Sequence, residues 1–543
     1  MQNGIFQLVR PENEYCMDYA QGCPERPVLL AEVERQRGMT VDVPLVIGGE
    51  EIFTDRVVEV TEPHCRSNVI ARVHLGGEAE LKRAIDTACA AARDWAEMPW
   101  EDRAAVFMKA ADLLAGPYRF EVEAATMLGQ SKNLWEAEID ICEMCDFLRF
   151  NAYFLQEIYK QQPGVTPSAV NRIEYRPLEG FIAALTPFNF TSIGGNLPCA
   201  PAAAGNVAVW KPSTTAALSN YYLMRVLEEA GLPAGVINFV PSRGVDFSRY
   251  VITDPRLAGF HFTGSTEVFN SVWKEVGSNI ERYRTYPRLV GETGGKDFIF
   301  ADPSASVDAL VSGMVRAAFS FAGQKCSAAS RAYIPASIWG AVREKLHEAM
   351  KEVYAGDILD PRAFCNAVID RAAFERIKGY LDDAAASPDA EIIEGGRADD
   401  SVGWFIQPTV ILTTNPHHKT MVEEIFGPVL TVWVYEDDKQ DEALALCDTS
   451  TKYGLTGAVY AQDRRAVLKI SRALSQAAGN FYINEKPTGA VVGQQPFGGS
   501  RASGTNDKAG SLTNMMRWVS QRSVKEVLVP DTAILLPHME SAD

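Results

Sequence analysis

Two side chains in this sequence have the type and the setting for covalent chemistry on a carbonyl. Glu292 lies in LVGETGGKDFIF, a hydrophobic strand pattern broken by Gly291-Glu292-Thr293-Gly294-Gly295. Cys326 follows 34 residues later (326 − 292) in FSFAGQKCSAAS. Glycine runs let the backbone bend or come close to another group. A lone carboxylate among glycines and a lone thiol among small residues read as a general base and a nucleophile brought together by folding. A thiolate attacks the carbonyl carbon, and a base then activates the water that releases the acyl group. The ordinary alternative for a free cysteine is a small buried hydrophobe.

These two residues need a frame that carries them to one place. From Ile173 the chain alternates strand and helix patterns, which predicts an α/β fold with parallel sheets. FIAAL (181–185), VAVW (207–210), VINFV (236–240) and LAGFHF (257–262) read as buried strands of a Rossmann-like half. Ligands bind such sheets beyond the carboxyl ends of the strands. That edge would hold Thr186 to Phe190, Lys211-Pro212-Ser213 and Thr263-Gly264-Ser265. There is no GxGxxG. Gly264 and Ser265 open a helix expected from about Thr266, so their N–H groups can face a phosphate; equally, they can be a plain helix cap. DFIFA, RAYIP and EEIFGPVLTVWVY mark a second alternation, with a helix expected to run to Phe321 just before the cysteine. Residues 482–510 form a long glycine-rich loop of the kind that is usually functional.

The N-terminal part looks different. Residues 1–45 read as irregular, with prolines at 11, 24, 27 and 44. Two long helical patterns follow, Glu78 to Ala115 and Ser131 to Tyr159, the second with Trp135, Ile139, Cys142, Phe147 and Phe150 facing the core. SVKEVLVP (523–530) reads as one strand, pairing across a subunit or with the segment near 170–178.

At 543 residues more than one domain is expected. A net charge of −18 argues against nucleic acid, and no apolar run is long enough to cross a membrane. The ten cysteines show no disulfide-like layout. Cys142 and Cys145 form a CxxC inside a helical pattern, without a second pair or nearby histidines, so no metal is expected. The start of the sequence has no apolar signal core and carries Glu12, Glu14 and Asp18, which a transit peptide avoids. The expected location is the cytoplasm, which Met1 favours, or the mitochondrial matrix for a processed eukaryotic form.

TPFNF, WKPS, FTGS, ETGGK, GQKCSA, EEIFGP and PFGG occur in this order. With these seven motifs the chain resembles the aldehyde dehydrogenase superfamily from about residue 40 to 530. The resemblance implies a Rossmann-like cofactor domain, an α/β catalytic domain and a small bridging β-flap. The implied division is 1–45 as an N-terminal extension, 46–161 with 179–293 as the NAD-binding domain, 294–515 as the catalytic domain, and 162–178 with 516–543 as the flap. It also implies that Cys326 is the nucleophile, that Asn189 and the Cys326 backbone N–H hold the oxyanion, and that Glu292 activates water. Lys211 and Ser213 would meet the adenosine ribose, Gly264 and Ser265 the pyrophosphate, and Glu424 and Phe426 the nicotinamide ribose and ring.

Within the superfamily the chain is most similar to the branch that oxidises L-glutamate γ-semialdehyde, the open form of Δ1-pyrroline-5-carboxylate, in proline breakdown. Phe188-Asn189-Phe190, Glu292 to Phe298, Lys325-Cys326-Ser327 and TGAVVGQQPFGGSRASGTNDKAG carry this likeness. It implies that Ser327 and the backbone N–H groups of Gly489 and Ala490 take the substrate carboxylate, with Phe190 and Phe497 clamping the aliphatic middle. The alternative is another semialdehyde, such as succinate semialdehyde, which lacks the α-amino group; a third reading is a non-catalytic use of the fold. NAD is the expected cofactor, although Thr214 stands where some NAD-preferring relatives place a glutamate that disfavours NADP. The expected assembly is a homodimer or higher homo-oligomer. No segment is left for a fused proline dehydrogenase, so a separate one would supply the substrate.

Overall fold

Strands buried on both faces must be apolar throughout, and parallel strands joined by helices are of this kind. Leu257–Thr263 is buried along almost its whole length, and Ala208–Lys211 along all of it. The computed structural model describes residues 6–539. Among these residues two seven-stranded sheets form the frame.

The first sheet runs Arg288–Glu292, Leu257–Thr263, Phe181–Leu185, Ala208–Lys211, Ile237–Phe239, all parallel, and ends with Leu45–Ile47 and Glu50–Ile52 antiparallel at one edge. The second runs Ala390–Glu394, Thr409–Thr413, Val429–Tyr435, Ala329–Pro335, Asp297–Ala301, Thr456–Tyr460, Asn480–Ile483; only the first of these is antiparallel to its neighbour. The chain passes from one sheet to the other between Glu292 and Asp297, through the glycines of the glutamate motif. Mixed α/β with Rossmann-like parallel sheets is therefore the architecture. A separate antiparallel ribbon joins Ser520–Val527 to Ala169–Arg176, which pairs the last strand within its own chain.

The helical patterns differ from expectation in three places. The stretch 78–115 is two helices, Glu78–Glu97 and Trp100–Ala115, because Pro99 cannot donate an N–H inside one continuous helix. Residues 1–45 are not wholly irregular: Glu25–Arg37 is a helix that buries Leu29 and Val33, although prolines precede it. The long helix is Leu134–Tyr159, started by Asn133, whose side chain accepts the Glu136 N–H. It buries Cys142, Cys145, Phe147 and Phe150, but Trp135 in its first turn is 44 % exposed and does not belong to that stripe. Met1 and residues 540–543 of the expected flap lie outside the described residues.

Close packing in the second sheet uses a glycine opposite a ring. Gly457 pairs with Phe298 across neighbouring strands, and a Cβ there would stand 2.1 Å from the Phe298 ring. Gly457→Ala should destabilise the protein by about 1–3 kcal/mol through overpacking. A thermal midpoint equal to that of the parent would refute this.

Candidate active site

The carboxyl edge of the first sheet faces the second sheet and delivers most of the site. Asn189 and Phe190 follow Phe181–Leu185, Lys211 ends Ala208–Lys211, Gly264 and Ser265 follow Leu257–Thr263, and Glu292 ends Arg288–Glu292. The second sheet supplies Cys326 just before Ala329–Pro335 and Glu424 with Phe426 just before Val429–Tyr435.

Cys326 is delivered by a strained turn. After the helix Val307–Phe319, residues Phe321, Ala322 and Gly323 have φ of 50°, 51° and 66°. Left-handed backbone costs a non-glycine residue roughly 1–2 kcal/mol, and such strain persists only where the surroundings over-determine it. Here Gln324 does so: its Oε1 accepts the Ile369 N–H at 2.8 Å. Its carbonyl accepts one Nδ2 hydrogen of Asn189 at 3.0 Å. Asn189 is buried and held beside the cysteine loop, with its second amide hydrogen still available.

Two spaces meet at Cys326. The larger is a cleft of about 1110 Å³ whose wall includes Asn189, Lys211, Ser213, Gly264, Ser265, Glu424 and Phe426. The smaller is a cavity of about 260 Å³ lined by Phe190, Glu292, Ser327, Gly489, Ala490 and Phe497. Cys326 lines both. All fourteen residues singled out from the sequence thus border one space or the other.

Burial governs the two reactive groups. It pushes the Cys326 thiol well above its ordinary pKa, and the carboxylates of Asp297, Glu292 and Glu424 push the same way. Burial also raises Glu292 well above the ordinary carboxylate value, opposed by the Gly499 N–H and by the charge of Lys508. Glu292 Oε2 has no hydrogen-bond partner among the described residues. A desolvated carboxylate with a free oxygen is a strong proton acceptor. His261 also lines the smaller cavity, but burial lowers its pKa to about 4 and its ring is tied to the Leu197 carbonyl at 2.8 Å. It stays neutral and is no rival base.

The larger cleft has the features of a dinucleotide site. Lys211 is buried, its pKa is lowered to about 8 by desolvation, and its only hydrogen-bond partner among the described residues is the Pro212 carbonyl at 3.3 Å. Glu424 Oε1 accepts the Gly295 N–H at 2.9 Å, which leaves Oε2 for a hydroxyl. Phe426 has φ 54° and packs edge-on against Phe188. Ser265 proves to be the N-cap of the helix Thr266–Ser278, accepting the Val268 N–H at 3.3 Å. Its hydroxyl oxygen is therefore used locally, and the Gly264 N–H, expected to face a phosphate, instead donates to the Glu292 carbonyl at 3.1 Å. What this turn offers an anion is the N–H groups from Ser265 onward.

Several residues of the site were missed in the sequence. Lys132 is fully buried and pairs with Asp140 at 2.9 Å. Its ammonium lies 4.1 Å from the centre of the Phe190 ring and 4.6 Å from that of Phe321. Asp140 in turn accepts the N–H groups of Thr191 and Ser192, each at 2.8 Å, which begin the helix after Phe190. Lys325, next to the nucleophile, pairs with Glu136 at 2.6 Å. Only the spacing of Glu136 and Asp140 on one helical face could have pointed to these partners.

A thiol, an amide donor and a buried carboxylate meet between two α/β sheets, and the family is shown by comparison with known proteins. The aldehyde dehydrogenase family model matches residues 52–524, and the chain belongs to that family. It is 49% identical over 533 residues to the mitochondrial delta-1-pyrroline-5-carboxylate dehydrogenase of Dictyostelium discoideum, covering 97% of this chain and 96% of that protein. The mouse protein of the same name is 49% identical over 520 residues, covering 95% of this chain and 92% of its own. The crystal structure of the Mycobacterium tuberculosis delta-pyrroline-5-carboxylate dehydrogenase bound with NAD superposes with a TM-score of 0.96 at 48% identity, covering 99% of this chain and 100% of that one.

The buried Lys132–Asp140 pair makes a stability prediction. Removing one partner of a buried ion pair leaves an uncompensated charge and costs about 3–5 kcal/mol. Lys132→Met should therefore lower the thermal midpoint markedly; a midpoint equal to that of the parent would refute the pairing.

Proposed function

We propose that this protein oxidises L-glutamate γ-semialdehyde, the open form of Δ1-pyrroline-5-carboxylate, to L-glutamate with NAD, as a step of proline breakdown. The observation that carries the proposal is the position of Cys326 between a wide cleft and a small cavity. Gly489, Ala490 and Ser327 line that cavity, and Ser327 follows Cys326 directly in the chain. This favours a short aldehyde with a carboxylate head group over an alkyl chain.

The cleft residues suit NAD. The under-partnered Lys211 ammonium and Ser213 would take the adenosine ribose, the Gly264–Ser265 turn the pyrophosphate, and Glu424 and Phe426 the nicotinamide ribose and ring. The cofactor, when bound, accepts the hydride that leaves the aldehyde carbon. The protein's own groups do the rest. The Cys326 thiol loses its proton and attacks the aldehyde carbon, and the resulting alkoxide of the thiohemiacetal is held by the free Asn189 hydrogen and the Cys326 N–H. Donors held in place before the charge develops stabilise it without reorganisation. After oxidation a thioester links substrate and Cys326. Glu292 then takes a proton from water through Oε2, the water attacks the thioester carbon, and the Cys326 sulfur leaves.

The domain division read from the sequence belongs to this proposal, as do an assembly of two or more copies through the 169–176/520–527 ribbon and a separate proline dehydrogenase as supplier. Among the described residues no helix is long and apolar enough to cross a membrane. Relatives from Dictyostelium and mouse are named as mitochondrial; for this chain the cytoplasm or a mitochondrial matrix remains the proposed location.

Purified protein should form NADH far faster with Δ1-pyrroline-5-carboxylate than with succinate semialdehyde or a simple alkyl aldehyde. Equal use of the others would overturn the substrate and keep the chemistry. Cys326→Ser should abolish NADH formation while NAD still binds. Glu292→Gln should give a burst of about one NADH per site and then stall, because only hydrolysis needs the base; steady turnover at the parent rate would overturn that role. Both Cys326 and Glu292 must shed protons from raised pKa values. Activity should therefore climb with pH, along a limb displaced above the ordinary carboxylate range. A flat profile from weakly acid to alkaline pH would contradict this.

A further inference from the structure

The family model begins at residue 52, yet Asn13, Glu14 and Cys16 line the cavity that opens at Cys326. The segment that carries them forms no helix or strand up to Tyr19, so its place is set by hydrogen bonds and ion pairs together with the packing of Met17 and Tyr19 on the core. On one side it is fastened to the long helix Leu134–Tyr159. Glu14 N–H donates to Asp146 Oδ1 at 2.7 Å, and Met17 N–H to Glu138 Oε1 at 2.7 Å. The Glu14 carboxylate bridges Arg119 at 3.0 Å and Arg149 at 2.6 Å. On the other side it holds the loop that follows Gly489 and Ala490. Arg10 donates to the Gly493 carbonyl at 3.1 Å.

Asn13 joins the two sides. Its Nδ2 donates to Asp146 Oδ2 at 2.7 Å and to the Val492 carbonyl at 2.9 Å, and its Oδ1 accepts from Gln494 Nε2 at 2.8 Å. Both amide hydrogens and the oxygen are thus in use. Beneath this clasp Val492 packs with Phe147 and Phe150 of the long helix. The loop is therefore gripped from inside by apolar packing and from outside by Asn13.

We infer that the segment around Asn13 is a specificity-determining strap of the active site: it closes the cavity opposite Cys326, and Asn13 positions the loop whose Gly489 and Ala490 N–H groups face the substrate. The inference rests on the proposed use of the smaller cavity for the aldehyde. Asn13 is a positioning residue, since it acts through the loop. An aldehyde with a carboxylate head is held by the loop beneath the strap, whereas hexanal, of about the same length but without that head, gains nothing from it.

The test compares the full-length parent with Asn13→Ala and Arg10→Ala, using Δ1-pyrroline-5-carboxylate and hexanal with saturating NAD. Asn13→Ala loses three hydrogen bonds at a half-buried site. It should raise KM for Δ1-pyrroline-5-carboxylate by about 5- to 20-fold, leave kcat within about threefold and leave NAD affinity unchanged. The ratio of kcat/KM for hexanal to that for Δ1-pyrroline-5-carboxylate should rise about tenfold or more, and Arg10→Ala should move both quantities the same way by less. A KM and a selectivity ratio within twofold of the parent in both variants would overturn the inference. So would a fall in kcat and NAD affinity together, which would mean general loosening. Should Asn13→Ala fail to fold, Arg10→Ala, which leaves Asn13 in place, decides by the same KM split. Should the parent prefer another aldehyde, the substrate reading fails on its own, and the strap is judged by the KM split on the preferred substrate.

Discussion

The close passage of two backbone segments at Gly294 and Gly295 is the constraint on which the rest of the structure depends. A Cβ on Gly295 would stand 2.3 Å from the Cys326 carbonyl, and one on Gly294 would stand 2.3 Å from a Glu424 carboxylate oxygen. No side chain fits at Gly295, where the obstacle is backbone; at Gly294 one would displace the end of the Glu424 side chain. The chain crosses here from the first sheet to the second, so this one contact sets the distance between sheets. It also places Glu292, Cys326 and Glu424 around a single spot. The opposite side of the spot is closed by Asn189 on the Gln324 carbonyl. The left-handed turn at Phe321 and Ala322 is tolerated because Gln324, directly after it, is anchored through both its side chain and its carbonyl.

Burial has a different consequence for each charged group in this region. Lys132 and Asp140 are paired and hydrogen-bonded, so they serve as a brace between the segment bearing Phe190 and the turn bearing Phe321. Glu292, Lys211 and Cys326 are left under-satisfied, and these are the groups that face the two spaces. A protein interior normally pairs its polar groups. Glu292 Oε2 is one exception that substrate or water would complete; others lie away from the two spaces, as at Gln36, Asn220 and Ser471.

The substrate side is built from parts distant in sequence. The wall of the small cavity draws on the N-terminal strap, the long helix, the cysteine loop and the 489–497 loop. Its shape is therefore a property of how the two ends of the chain meet. The glycine-rich character of the late loop was visible, but nothing local to residues 10–16 signals that they cover it.

Much of the fold was legible. Buried β-branched and aromatic runs became the expected parallel strands, and the residues just after them became the rim of the cleft, because a parallel sheet offers its carboxyl edge to ligands. Misreadings came where a local rule was read too coarsely, as when Pro99 split one helical pattern in two and when Trp135 turned to solvent. The sequence by itself determined the chemistry: a thiol, a carboxylate and an amide embedded in glycine-rich motifs whose order identifies the family. Only the tertiary structure decided which charges are braced and which left open, that Cys326 stands at the junction of two spaces, and that an N-terminal strap closes one of them. Those outcomes depend on groups far apart in sequence, such as Asn189 with Gln324 and Asn13 with Val492, meeting in a low-dielectric interior, and no local pattern encodes such a meeting.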